Sequence, residues 1–173
     1  ALDAPGALGP EFTLSGTLTA TSREPLSQRQ RFALTATLDF RFNTDEEQAA
    51  LRRNLALPPD RNPRARALAE SWQSADADPA RLAQKALSFF SEENFFYTLQ
   101  PPLLGEQAVD DFLFDTRRGF CEHYASAFVF LMRAAGVPAR VVTGYQGGEL
   151  NPVDGFVVVR PSDAHAWAEI WLA

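Results

Sequence analysis

The sequence predicts an α+β fold in which helices come first and consecutive antiparallel strands last. Three observations carry this. Helix start signals recur through residues 44–91, and a long apolar helical pattern follows Cys121. Runs rich in β-branched residues then close the chain. A separate β-rich segment, residues 1–43, precedes the core at 44–173.

In that first segment Phe12 to Thr19 alternates apolar and small polar residues, and Arg31 to Phe42 does so for longer. Period two with many threonines reads as two strands. Arg23-Glu24-Pro25 is the expected turn between them. Thr44-Asp45-Glu46-Glu47 is a capping box that opens a helix to about Leu55. Asn62-Pro63 opens a second helix to about Ser74, and Asp78-Pro79 a third to about Ser91, each with proline at the first helical position. Phe95 to Leu99 reads as a short strand, and Asp110 to Phe114 as one or two helical turns. The helix after Cys121 stops at Gly136, with Pro138 blocking its continuation. Strands are expected at Arg140–Tyr145, Phe156–Arg160 and His165–Trp171, with Gly147-Gly148 and Asn151-Pro152 in the turns.

Composition bounds the function. The 173 residues are 46% hydrophobic and 12% aromatic, with 14 Phe and three Trp, enough for a packed core and unlike a disordered chain. A net charge of −6 argues against nucleic acid as a partner. No apolar run approaches the roughly 20 residues that span a bilayer. One cysteine excludes an internal disulfide, which suits a cytosolic protein and equally an exported enzyme with one reactive thiol.

That cysteine is the most informative residue. Gly119-Phe120-Cys121-Glu122-His123 places the thiol at the first turn of a helix, where the macrodipole and unpaired N–H groups favour a thiolate. The opposing reading is a buried, inert cysteine. Arg117 and Arg118 just before it oppose the helix dipole. They fit a thiolate or a substrate carboxylate, or simply a solvated loop. Of the two histidines, His123 is turned about 200° from Cys121 on the helix, so it is expected to pack or cap. His165 sits on a later strand, free to approach across a sheet as the base of a cysteine nucleophile or to serve as a hydrogen-bonded core histidine. Alternation puts His165, Trp167, Glu169 and Trp171 on one face and Ala166, Ala168 and Ile170 on the other. A metal site built from Cys121, His123, Asp163, His165 and Glu169 is disfavoured, because Cys-x-His on one helix cannot easily point both ligands at one ion.

Arg118 to Ala125, Leu131 to Tyr145 and His165 to Ile170, in that order and spacing, resemble the transglutaminase-like superfamily. Phe96-Tyr97-Thr98-Leu99 with Pro101-Pro102, and Phe112-Leu113-Phe114, narrow the likeness to the bacterial membrane-anchored proteins of the TgpA type. The resemblance implies a papain-like core with the nucleophile helix on an antiparallel sheet, and a Cys-His-Asp triad of Cys121, His165 and an Asp expected beyond Ala173. The core is therefore expected to be truncated at its C-terminus. Glu169 lies about 13 Å along the strand from His165, and Asp163 is expected to shape the preceding turn. The implied location is the periplasmic face of a bacterial membrane, with membrane contact only through spans absent from this chain.

The expected reaction is acyl transfer from a glutamine-type carboxamide of a protein or peptide to an amine, through a thioester on Cys121. The Cys121 backbone N–H is the expected oxyanion donor. Tyr97 is either a second donor or an aromatic on a half-buried strand. No cofactor is implied. The alternatives are a cysteine peptidase or amidase on the same core, and a catalytically silent binding module.

Overall fold

A computed structural model describes residues 4–6, 8–15, 19–28, 35–37 and 48–172. The chain divides into two compact units, Ala1–Asp45 and Glu46–Ala173.

The first unit contains two small antiparallel pairs. Strand β1 (Ala4–Pro5) pairs with β4 (Ala36–Thr37), and β2 (Phe12–Leu14) pairs with β3 (Ala20–Ser22). The sequence reading ran a single strand through Phe12–Thr19, but the chain reverses inside that stretch. The Ser15 N–H donates to Thr19 O (3.0 Å) and the Thr19 N–H to Ser15 Oγ (3.1 Å), so Ala20 returns beside Leu14. Alternation cannot reveal such a reversal, because the small polar residues that suit a strand also suit a turn. Arg23-Glu24-Pro25 is therefore not the hairpin turn; the Arg23 N–H extends the pairing to Glu11 O (2.9 Å). Of the strand expected at Arg31–Phe42 only 35–37 are described, and the capping box at Thr44–Glu47 lies outside the described residues.

The second unit begins with α1 (Gln48–Arg53), followed by α2 (Pro63–Ala75) and α3 (Pro79–Glu92). Asp78 caps α3 by accepting the Arg81 N–H at 2.9 Å. The start of α2 is capped from elsewhere in the chain. Buried Asp110 accepts the N–H groups of Arg64 (2.9 Å) and Ala65 (2.8 Å), while Asn62 Oδ1 accepts those of Val109 (3.0 Å) and Asp110 (3.3 Å). Two helix starts thus satisfy one another's orphan donors.

Strand β5 (Phe96–Tyr97) is shorter than Phe95–Leu99 and pairs in parallel with β6 (Arg118–Gly119). Between them α4 (Ala108–Asp110) runs into a π-helix, Asp111–Thr116, where one or two helical turns were expected. Helix α5 (Cys121–Ala134) follows and ends at Gly136, whose φ of 79° is the left-handed conformation a helix stop requires.

Strand β7 (Ala139–Tyr145) pairs antiparallel with β10 (Ala164–Ile170), with His165 opposite Gly144 and Ile170 opposite Ala139. The strand expected at Phe156–Arg160 shrinks to β9 (Val157–Val158). Among the described residues it pairs with β8 (Glu149–Leu150) alone, because the Asn151–Phe156 turn folds it back as a hairpin (Asn151 N–H to Phe156 O, 2.8 Å).

Helix α5 is the centre of the core. Val129, Phe130, Leu131 and Met132 are buried with Ala65, Ala69 and Trp72 of α2, Leu82 and Ala86 of α3, and Phe112 and Leu113 of the π-helix. Ala65 and Ala69, one turn apart, are small enough to let α2 lie close against the cluster. Ala168 and Ile170 of β10 pack on the same cluster. This is an α+β architecture with the cysteine-bearing helix packed on an antiparallel pair.

Candidate active site

Cys121 is the first residue of α5, preceded by Phe120 in extended backbone. Its approach depends on Gly119: a Cβ there would sit 2.6 Å from His123 Cβ and 2.9 Å from Phe112 Cε2. At the first helical position the Cys121 N–H has no partner within the helix. It donates instead to the Tyr97 hydroxyl at 3.3 Å. Tyr97 is 61% exposed on β5, and its ring stacks on Tyr124 with centroids 6.1 Å apart and planes at 22°. Burial, with a smaller contribution from Tyr97, pushes the Tyr124 phenol up from its ordinary value.

His123 turns away, as its helical position predicts. Its Nδ1 accepts the Phe120 N–H at 3.4 Å, and its ring packs edge-on against Phe120, with centroids 4.6 Å apart. It both caps and packs.

His165 stands on β10 and, with Cys121, borders one cleft of about 350 Å³. Tyr97, Tyr124, Ala125 and Phe128 border it from the Cys121 side, Leu87 and Phe90 from α3, and Ala166, Trp167 and Ala168 from β10. Among the described residues no hydrogen bond joins the Cys121 sulfur to the His165 ring; catalytic hydrogen bonds are commonly long before substrate binds. The Trp167 indole N–H is buried and has no hydrogen-bond partner among the described residues. The six-membered ring of Trp167 lies over Gly144, filling the space a side chain there would take.

The carboxylates near His165 in sequence are engaged elsewhere. Glu169 pairs with Arg140 (2.7 Å), and that guanidinium lies over the Trp171 ring, 5.0 Å from its centroid. Asp163 accepts the Arg160 N–H at 2.7 Å and shapes the turn before β10. Arg117 has a local reason to precede Cys121: it pairs with Glu93 (2.7 Å) and covers the Phe95 ring. Arg118 is exposed and makes no ion pair among the described residues. No three His, Cys, Asp or Glu side chains converge as metal ligands would among those residues.

The α3 wall is not legible in the sequence, because nothing local in Leu87 or Phe90 says which helix they will face. The stripe Cys121, Tyr124, Ala125, Phe128 was available from its i, i+3, i+4, i+7 spacing.

Residues 66–173 match the transglutaminase-like superfamily. The chain belongs to that superfamily. A protein-glutamine gamma-glutamyltransferase of Pseudomonas aeruginosa is 50% identical over 149 residues, which are 86% of this chain and 22% of that protein. YebA of Bacillus subtilis is 42% identical over 74 residues, 40% of this chain and 10% of that protein. The crystal structure of the periplasmic domain of TgpA from Pseudomonas aeruginosa superposes with a TM-score of 0.90 at 46% identity, covering 99% of this chain and 59% of that one. A crystal structure of the same domain bound to ethylmercury matches equally well. The chain thus spans about a fifth of the length of the curated Pseudomonas relative. No helix among the described residues is long and apolar enough to cross a membrane.

Proposed function

We propose that this chain carries a cysteine-dependent acyl-transfer site of the protein-glutamine gamma-glutamyltransferase type, with Cys121 as nucleophile and His165 as base. The observation that carries the reading is that a thiol on the first residue of a buried helix and an imidazole from a distant strand border one cleft. The 50% identity to a named glutamyltransferase supports the reaction type.

His165 takes the Cys121 thiol proton. The sulfur attacks the carboxamide carbon of a glutamine side chain; the C–S bond forms, the C–N bond breaks, and ammonia leaves with the proton held by His165. A primary amine then attacks the thioester; the C–N bond of the isopeptide forms, the C–S bond breaks, and the amine's proton passes through His165 to the released thiolate. The Cys121 N–H and the Tyr97 hydroxyl, 3.3 Å apart, are the two donors best situated for the oxyanion. In the resting arrangement they bond to each other, so the oxyanion inserts between them. Glu169 and Asp163 have other partners, so neither is assigned as a third member beside Cys121 and His165. The working location is the periplasm, after the relative whose periplasmic domain this chain resembles.

Mass spectrometry of a glutamine peptide incubated with a primary amine tests the proposal. A product carrying the amine supports the transferase. Deamidated or cleaved peptide indicates a hydrolase on the same core. Unchanged peptide, with Cys121→Ala giving the same result as the parent, indicates a silent binding module.

A further inference from the structure

The cleft is longer than the proposed reaction needs. Cys121, Tyr124, Ala125 and Phe128 form one stripe along α5, and a rise of about 1.5 Å per residue puts Phe128 roughly 10 Å along the axis from the nucleophile. Leu87 and Phe90 border the cleft from α3, with Phe90 beside Tyr124 (ring centroids 5.6 Å apart) and Leu87 one turn earlier on α3. Its volume of about 350 Å³ falls within the range that holds ligands larger than one short side chain. A glutamine side chain delivering its carboxamide to the sulfur fills only the Cys121 end.

Among the described residues no Asp, Glu, Lys or Arg side chain borders the cleft. An apolar side chain placed at the Phe128 end covers exposed apolar surface of Leu87, whereas a charged one gains no counter-ion there. The occupant is therefore neutral and apolar. Where it sits on a donor peptide follows from strand geometry. In an extended peptide the neighbours of the glutamine point to the opposite face, and the residues two positions away share its face, displaced by about 6.6 Å. That displacement, with the reach of the side chain, is comparable to the roughly 10 Å that separate Phe128 from the nucleophile along α5.

We infer that this end of the cleft is a specificity subsite for an aliphatic or aromatic side chain two positions from the reactive glutamine of a peptide acyl donor. The inference rests on the acyl-transfer reading above.

The test uses the full protein and three sets of short peptides carrying one glutamine. Phe, Gly or Asp is placed two positions away on either side or, in the control set, next to the glutamine. With a fluorescent primary amine as acceptor, Phe two positions away, on at least one side, is expected to raise kcat/KM about tenfold over Gly, as a filled apolar pocket does, and Asp to fall below Gly. Leu87, 54% exposed, tolerates a polar replacement without loss of fold. Leu87→Glu is expected to bring the Phe-to-Gly ratio toward one, and Leu87→Lys to raise the Asp donor relative to Gly. Equal rates for the three donors, a preference seen only in the control set, or a preference that follows the alkyl length of the amine instead would overturn the subsite. Calorimetric binding of the same peptides to Cys121→Ala separates the two readings. If no donor turns over while affinities still rank Phe above Gly above Asp, acyl transfer fails and the subsite stands. Equal affinities together with absent turnover remove both.

Discussion

The contacts at the head of α5 set what single substitutions there should do. Gly119 lies against the side chains of His123 and Phe112, and both are fixed by packing. A methyl at that position must push one of them away. Gly119→Ala is therefore expected to destabilise the protein by about 1–3 kcal/mol, read as a lower urea midpoint, and to displace the cysteine with the helix start. Tyr97→Phe is subtler, because it removes one oxygen and keeps the ring on Tyr124. If the hydroxyl serves the oxyanion, kcat for amine incorporation should fall on the order of 10²-fold while KM stays near the parent value. An unchanged kcat would reduce Tyr97 to an aromatic wall of the cleft. His165→Ala should slow iodoacetamide labelling of Cys121 several-fold in the folded protein if the imidazole takes the thiol proton. Much of this was legible in the residues themselves. The 200° offset of His123 was readable from helical geometry. The Tyr97 contact was not, since it depends on a two-residue strand pairing with residues more than twenty positions away.

Elements defined by local chemistry were the readable ones. Proline after Asn62 or Asp78 and glycine after α5 gave the helix limits closely, because capping involves only the few residues at each end. The strands were legible as β structure but not in their pairing. Nothing in Val157 and Val158 says that they pair back on Glu149 and Leu150 rather than join β7. The cap on α2 was equally hidden, for its acceptor comes from Asp110, 45 residues from Ala65. Asp110 is 3% exposed, so Asp110→Ala leaves buried N–H groups of Arg64 and Ala65 without an acceptor. The expected cost is about 1–3 kcal/mol in chemical denaturation, with Asp110→Asn losing less because one acceptor oxygen remains. The start of α3 responds to pH instead. Hydrogen bonds from Arg81 and from the Asp78 backbone hold the Asp76 carboxyl down at about 2, against an ordinary 3.8. A carboxyl depressed on folding contributes its stability in full above the unfolded value and loses it as pH falls through the folded one. Protection of the amides in the first turn of α3, measured relative to their intrinsic exchange rates, should therefore fall between about pH 4 and pH 2. Asp76→Asn, which cannot titrate, should remove that pH dependence; its persistence would assign the loosening to another group.

At the scale of the molecule, the second unit hangs its helices and sheet on a single helix, and the site lies at the end of that helix. Its core cluster joins α2, α3, the π-helix, α5 and β10, so none of these elements can detach without exposing apolar surface of the others. Such a unit should unfold in one step. The three tryptophans, Trp72 on α2 and Trp167 and Trp171 at the far end of the chain, all belong to this unit and report on its helical and sheet layers. Tryptophan fluorescence and the helical far-UV signal are expected to fall together in urea. Leu131 gives the sharper test, because it is 0% exposed in the last turn of α5. Leu131→Ala removes buried methyl groups and leaves a cavity that rigid neighbours on several elements cannot close, at a cost of about 2–5 kcal/mol. In a cooperative unit both probes should shift to the same lower midpoint, and Cys121 should become more open to thiol reagents at urea concentrations where the parent still protects it. Two separated midpoints in the variant would mean that the β7–β10 pair keeps its order without α5, and the link between the core and the head of the cysteine helix would be looser than the packing indicates.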